Sequence, residues 1–186
     1  MYTEIDKCKL CKSNNLKLVL DLADLPIGDK YLPPEKKEES RNLYPLKIMM
    51  CIDCGNYQNS GFVDPKIIYN FYLSRPATTN PQLSGAYKEY ADYLLKNFSN
   101  NKSNLKAYEA GSNDGTFIEY MKKELKMKVL GIEPSPNLSK QANDRSVETI
   151  NDYFGSEIAS KIAEQHGKAD FFITNHLQML QFPSPF

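Results

Sequence analysis

Four cysteines in two pairs constrain this chain more than any other feature of its sequence. Cys8 and Cys11 are separated by two residues, and so are Cys51 and Cys54. Two thiolates at this spacing can point at one ion from a tight turn, and two such turns complete a tetrahedron. The doubled spacing predicts a zinc site with all four cysteines as ligands. Four thiolates leave no open coordination position, so the predicted metal is structural and not catalytic.

Two disulfides, or four unrelated thiols, are the alternatives to zinc. The first residues, MYTEIDKCK, contain acids and no apolar segment of the kind that a signal peptide needs. We therefore expect a cytoplasmic protein, and in a reducing compartment such pairs favour zinc over disulfides. Lys7, Lys9 and Lys12 would also favour the thiolate form. The 39 residues between the pairs predict a small subdomain folded between them.

Charge and hydropathy exclude two classes of partner. The chain has 23 basic and 23 acidic residues, so its formal net charge is zero and nothing predicts nucleic-acid binding. No apolar run approaches the length of a membrane span, so we expect no membrane partner.

The chain divides by pattern into three parts. Residues 1–63 hold both cysteine pairs and two strand-like runs, and form the predicted zinc-binding module. Residues 64–100 are a predicted helical connector. Residues 101–186 alternate short apolar strands with amphipathic helices, which is typical of a parallel sheet with crossover helices. The sequence therefore predicts an α/β fold.

A glycine-containing loop follows the first strand of the third part. Its pattern is Glu109-x-Gly111-x-Asn113-x-Gly115, between a strand and a helix, which is the setting of a nucleotide-binding fingerprint. Gly111 allows a sharp turn, and Gly115 allows close approach of the backbone to a ligand. Asn113 stands where glycine is common, and asparagine tolerates left-handed geometry.

Glu133 follows the next strand, where an acid can accept hydrogen bonds from ribose hydroxyls. A dinucleotide would place its pyrophosphate at the helix N-terminus. Glu109 and Asp114 disfavour a phosphate there but suit a cation, such as the sulfonium and amino group of S-adenosylmethionine. The loop therefore favours S-adenosylmethionine over NAD, and a turn without a ligand is the remaining alternative.

Four segments resemble the sugar C-methyltransferases of deoxysugar biosynthesis: CKLC…CIDCGNYQN, FYLS, EAGSNDGTFIEYM and VLGIEPSPNLSKQA. The resemblance implies an N-terminal zinc-binding module followed by a Rossmann-like methyltransferase domain. It implies methyl transfer from S-adenosylmethionine to a carbon of a nucleotide-linked keto sugar. Only about the first four strands of that domain are expected here, so the chain is expected to be truncated and inactive, or weakly active, alone. A non-catalytic zinc-binding and partial Rossmann binding module is the alternative function, and a nicotinamide-dependent oxidoreductase is a more distant one.

The resemblance also implies roles for individual residues. Gly111, Ser112, Asn113 and Gly115 would line the methionine and ribose portions of the cofactor, and Glu133 its ribose hydroxyls. Asp152 or Tyr153 would contact the adenine, and Asn175 would lie near the methyl-transfer face.

Tyr72 is the one catalytic candidate. It aligns with a tyrosine of the family and would act near the sugar as acid, base or oxyanion donor; a packing role is the alternative.

The last predicted strand, ADFFITN, is expected to have an uncovered edge. We expect Phe171, Phe172 and Ile173 to lie beside solvent or a partner, and the chain to self-associate through this edge.

Overall fold

The chain folds into two compact units. The computed structural model describes residues 1–28, 34–36, 42–72, 79–100 and 102–175. Backbone contacts divide the chain into Met1–Leu73 and Ser74–Phe186. Each unit has its own sheets.

The first unit is antiparallel. Its elements are β1 (Tyr2–Glu4), β2 (Leu16–Pro26), a 3₁₀ turn (Pro34–Lys36), β3 (Leu43–Cys51), β4 (Tyr57–Asn59), β5 (Gly61–Val63) and α1 (Pro65–Ile68). Strand β1 pairs with β5, and β2, β3 and β4 form a three-stranded sheet in that order. Leu16 lies opposite Cys51 at the end of the β2–β3 hairpin. The hairpin therefore returns the chain to the neighbourhood of the first cysteine pair.

The second unit is a parallel α/β structure, which confirms the predicted fold class. Its elements are α2 (Pro81–Phe98), β6 (Lys106–Ala110), α3 (Thr116–Lys123), β7 (Lys128–Ile132), α4 (Pro136–Asp144), β8 (Thr149–Ile150), α5 (Ser156–His166) and β9 (Phe171–Thr174). The sheet order is β8-β7-β6-β9, and every pairing is parallel. The chain moves outward on one side of β6 and then returns to its other side. Such a switch point opens a crevice beyond the carboxyl end of the strands, where ligands bind in sheets of this type.

Helix α2 begins at a cap and packs within the second unit. Asn80 accepts the N–H of Leu83 at 3.2 Å, and Pro81 occupies the first turn. The rings of Tyr87 and Tyr90 lie 5.1 and 5.3 Å from the ring of Phe117 on α3. The structure therefore groups α2 with the sheet, whereas the division at residues 63 and 100 stays a prediction. None of the described helices, α2 included, is long and apolar enough to cross a membrane.

Apolar side chains cover both faces of the parallel sheet. Along β6, Ala107 belongs to a buried cluster with Phe117 and Ile118 of α3, and Tyr108 belongs to a second cluster with Ile162 of α5. Successive strand residues point to opposite faces, so a strand buried on both sides has little polar alternation. This packing on both faces fixes the position of β6, and therefore also the position of the loop that follows it.

The expectation for the last strand is wrong for two of its three residues. Phe171 and Ile173 are buried against the first cluster, whereas Phe172 is 48% exposed and packs on Phe154, with ring centroids 4.8 Å apart. The physical reason is the two-residue period of a strand, which turns alternate side chains to opposite faces. Self-association through the edge of β9 stays a prediction.

Candidate metal centre and cofactor site

The two cysteine pairs have the same local backbone geometry. In the first, the N–H of Lys12 donates to the carbonyl of Cys8 at 2.9 Å; in the second, the N–H of Gly55 donates to that of Cys51 at 2.8 Å. Lys12 and Gly55 both have left-handed backbone, with φ of 65° and 74°. Each pair therefore sits on a turn that directs its two side chains to one side.

The four sulfur atoms form one cluster. The Sγ atoms of Cys8 and Cys54 lie 3.6 Å apart, those of Cys11 and Cys51 lie 3.5 Å apart, and all four lie within 4.8 Å of one another. A tetrahedral site with zinc–sulfur distances of about 2.3 Å has sulfur–sulfur edges of about 3.8 Å. All four cysteines are free thiols, which excludes the disulfide alternative in this structure. The cluster therefore fits a zinc ion with four thiolate ligands.

Burial and hydrogen bonding differ among the four thiols. Cys8 and Cys51 are buried, whereas Cys11 and Cys54 are exposed. Hydrogen bonds from the backbone N–H of Cys11, and then of Leu10, lower the pKa of the Cys8 thiol to about 6 against the opposing effect of burial. A thiol that ionises this readily is a ready metal ligand.

The loop after β6 contains three residues with left-handed backbone. Gly111, Asn113 and Gly115 all have positive φ, of 72°, 53° and 76°. A Cβ on Gly115 would lie 3.0 Å from side-chain atoms of Ala142 and Val147, so the loop passes close to the neighbouring element. Gly115 then caps α3. The alternating left-handed residues coil the chain tightly between β6 and α3.

Glu133 anchors this loop at the carboxyl end of β7. Its Oε2 accepts the N–H of Asn113 at 2.9 Å, and its Oε1 accepts the N–H of Ser135 at 2.9 Å. A carboxylate has about four lone-pair sites, so each oxygen keeps one for a further donor. Asn151, after β8, donates its side-chain amide to the carbonyls of Glu133 and Pro134 at 2.9 Å each. The acid is therefore held in place before any ligand arrives.

Glu109 is a buried carboxyl group whose hydrogen bonding is incomplete among the described residues. It is 4% exposed; Oε1 accepts the side-chain amide of Asn175 at 3.1 Å, and no partner for Oε2 lies within the described residues. Burial raises the pKa of Glu109 to about 8, the bond from Asn175 opposes this, and the carboxylates of Glu133 and Asp114 add to it. An unpaired buried carboxylate oxygen of this kind is costly and fits a site that receives a cationic donor.

Ser112 packs against a strand that has no side chain at the point of contact. A Cβ on Gly131 would lie 2.5 Å from Oγ of Ser112 and 2.7 Å from Oγ1 of Thr149. Oγ of Ser112 and Oγ of Ser135 are buried without a hydrogen-bond partner among the described residues. Each hydroxyl is therefore a donor that a ligand or an ordered water would satisfy.

Arg145 supports the loop, and sequence reasoning missed it. Its Nε donates to Oε2 of Glu119 at 3.0 Å, and its Nη2 donates to the carbonyl oxygen of Asp114. Lys123 completes the group with a 2.6 Å bond to Oε1 of Glu119. No sequence signal links Arg145 to the loop. Asn151 could have been identified from the sequence, because it directly follows a strand, as several of the predicted site residues do.

The structure brings some predicted residues together and not others. Glu109 meets Asn175, and Glu133 meets Asn113, all at the carboxyl-end side of β6, β7 and β9. Asp152 is exposed, and its Oδ1 accepts the N–H of Tyr153 at 2.7 Å. Tyr72 lies in the first unit, where its ring is 6.0 Å from that of Tyr69. The roles of all these residues stay predictions.

The first unit contains a candidate four-thiolate metal site, and the second is a parallel α/β unit with a glycine-containing loop. Comparison with known proteins shows what this combination resembles. Residues 8–69 match the family Methyltransf_13, described as "Putative zinc binding domain". The C-methyltransferase NovU of Streptomyces niveus is 27% identical over 165 residues, which are 89% of this chain and 39% of that protein. The chain thus spans about two fifths of the length of this relative. These two similarities confirm the resemblance to C-methyltransferases.

Two solved structures show weaker similarity. The plantazolicin methyltransferase BpumL, in complex with a monoazolic desmethylPZN analog and SAH, is 20% identical with a TM-score of 0.33, and the match covers 43% of this chain and 34% of that one. DesVI of Streptomyces venezuelae is 16% identical with a TM-score of 0.32, covering 42% and 36%. TM-scores below 0.5 establish no common fold for the whole chain.

Proposed function

We propose that the second unit binds S-adenosylmethionine beyond the carboxyl ends of its strands, in a protein that methylates a carbon of a nucleotide-linked keto sugar. The observation that carries the cofactor assignment is the buried Glu109 carboxyl group, whose Oε2 has no hydrogen-bond partner within the described residues. Glu133 and Asp114 lie close enough to Glu109 to raise its pKa further. A cationic ligand beside Glu109 would favour the ionised form that burial and the two neighbouring carboxyl groups disfavour, whereas a pyrophosphate would disfavour it further.

The chemistry of the reaction sets the tasks of the protein. S-adenosylmethionine supplies an electrophilic methyl group on a sulfonium. A ketone makes the neighbouring C–H acidic, so a base removes that proton and the resulting enolate carbon accepts the methyl group. In this proposal Glu133 holds the ribose and Glu109 the cationic end. Asn175 lies at the methyl-transfer face, Asp152 or Tyr153 lies at the adenine, and Tyr72 is the acid, base or oxyanion donor at the sugar.

The similarity to NovU, which is a C-methyltransferase, supports transfer of the methyl group to carbon. The acidic loop supports the cofactor class independently of that similarity. A non-catalytic binding module is the second candidate function. This candidate shares the cofactor site and differs only in lacking turnover.

Calorimetry with three ligands tests the cofactor assignment. S-adenosylmethionine and its demethylated product are expected to bind, and NAD is not. Glu133→Ala should weaken cofactor binding by about 1.5–3 kcal/mol, because charged acceptors of the ribose hydroxyls are lost. Glu164→Ala, at an exposed position of α5, is the matched control and should change nothing.

Glu133 also holds two backbone N–H groups, so a ligand cycle is needed to separate binding from structure. An analogue without ribose hydroxyls should bind the wild type weakly and be insensitive to Glu133→Ala. Equal NAD binding, or equal losses for the cofactor and this analogue, would refute the assignment. A methyl-transfer assay with nucleotide-linked keto sugars then separates the two candidate functions, since only the enzyme turns over.

A further inference from the structure

Two amide side chains connect the cysteine pairs of the first unit. Gln58, on β4, is 9% exposed. Its Oε1 accepts the backbone N–H of Lys9 at 2.8 Å, and its Nε2 donates to the carbonyl of Lys7 at 3.1 Å. Lys7 and Lys9 flank Cys8 on either side. One buried side chain from the strand after the second pair therefore holds the backbone around a ligand of the first pair.

Asn56 makes the second connection. Its backbone carbonyl accepts the N–H of Cys51 at 2.8 Å, which ties it to the second pair. Its side-chain Nδ2 lies 3.8 Å from Sγ of Cys8 and 3.3 Å from Oε1 of Gln58. A neutral amide has two N–H donors, so one can serve the sulfur and the other the glutamine. Gln58 therefore orients the amide that points at Cys8.

We propose that Asn56 is a positioning residue of the zinc site, which donates a hydrogen bond to the Cys8 thiolate and is itself oriented by Gln58. Four thiolates around one divalent zinc leave excess negative charge on the sulfurs. Cys11 and Cys54 are exposed, so water can share that charge, whereas Cys8 is buried and depends on protein donors. Partners behind the metal ligands typically change metal affinity by about 10- to 100-fold.

Zinc transfer from the full chain to a chromogenic chelator tests the proposal. Asn56→Ala removes the donor but keeps the backbone carbonyl that binds Cys51. Asn56→Asp keeps the shape and presents acceptors to the thiolate. We expect both variants to lose zinc affinity, by about 10-fold or more for alanine and further for aspartate. Asn59→Ala, at an exposed position of β4, is the control and should match the wild type.

A direct measurement on the wild type covers the case in which a variant does not fold. With cadmium in place of zinc, a scalar coupling across the hydrogen bond should link the Asn56 side-chain protons to the metal. Circular dichroism in saturating zinc separates loss of affinity from loss of fold. Wild-type zinc retention by both folded variants would overturn the proposal, and so would absence of the coupling while the Cys8 protons couple to cadmium.

Discussion

Glu109→Gln is expected to remove the pH dependence that Glu109 gives to the free energy of unfolding. Glu109 is buried at the end of β6, and the groups that face it are Asn175, Asp114, Glu133 and Tyr87. Burial, with the two neighbouring carboxylates, raises the pKa of Glu109 to about 8. Glutamine has nearly the same shape and keeps an acceptor for Asn175, but it carries no charge at any pH.

The direction of the pH effect on stability follows from which state, folded or unfolded, binds the proton on Glu109. From an ordinary pKa of 4.5 to about 8, the folded protein keeps a proton on Glu109 that the unfolded chain has released. The free energy of unfolding therefore falls as pH rises through this window, by about 1.4 kcal/mol per pH unit from this group. At pH 7 the accumulated loss is roughly 3 kcal/mol, and the glutamine variant should be more stable than the wild type by about that amount.

Urea unfolding of the metal-loaded protein measures this difference. The two proteins should be about equally stable near pH 4.5 and diverge steadily towards pH 8. Glu164→Gln, an exposed control on α5, should run parallel to the wild type. A difference between Glu109→Gln and wild type that is the same at every pH would refute the argument. Under the proposed function the stabilised variant should also bind S-adenosylmethionine less tightly, since glutamine cannot ionise to pair with the cation.

Three further predictions concern the metal, the packing behind the loop and the sheet edge. Elemental analysis of protein purified without added metal should find about one zinc per chain, and a folded, metal-free protein would contradict the four-thiolate site. Gly131→Ala should destabilise the second unit by about 1–3 kcal/mol, because its Cβ would meet Ser112 and Thr149; Gly85→Ala, in α2 with nothing within 4 Å, should be neutral or stabilising in the same unfolding assay. If the exposed Phe172 of β9 contributes to self-association, Phe172→Ser should lower the mass measured by light scattering, and an unchanged mass would exclude that side chain as the contact.

The sequence predicted best those features that depend on a few residues close together in the chain. Two residues between cysteines suffice to place both thiols on one turn, and the doubled motif predicts the cluster. The tolerance of asparagine for left-handed backbone is a similarly local signal at Asn113, and Gly111 and Gly115 also have positive φ. The order of strands and helices in the second unit follows from apolar periodicity, so the parallel sheet could also be predicted.

The features that sequence did not reveal are contacts between distant residues. Arg145 reaches Asp114 across 31 positions, and Gln58 reaches Lys9 across 49. Such pairs depend on how elements pack, and one sequence contains no local pattern for them. The burial of Phe171 and Ile173 is different, since strict alternation along β9 could have predicted it.

The β2–β3 hairpin allows the number of residues between the two cysteine pairs to vary without a change at the metal site. Leu16 pairs with Cys51 beside the metal site, and the last registered pair at the far end is Pro26 with Leu43. Added residues beyond Pro26 would lengthen a closed loop whose entropic cost grows only logarithmically, by about 0.6 kcal/mol for each doubling. Related chains can therefore differ widely in size at this point, and a fluorescent reporter inserted there would leave the register at Cys51 unchanged.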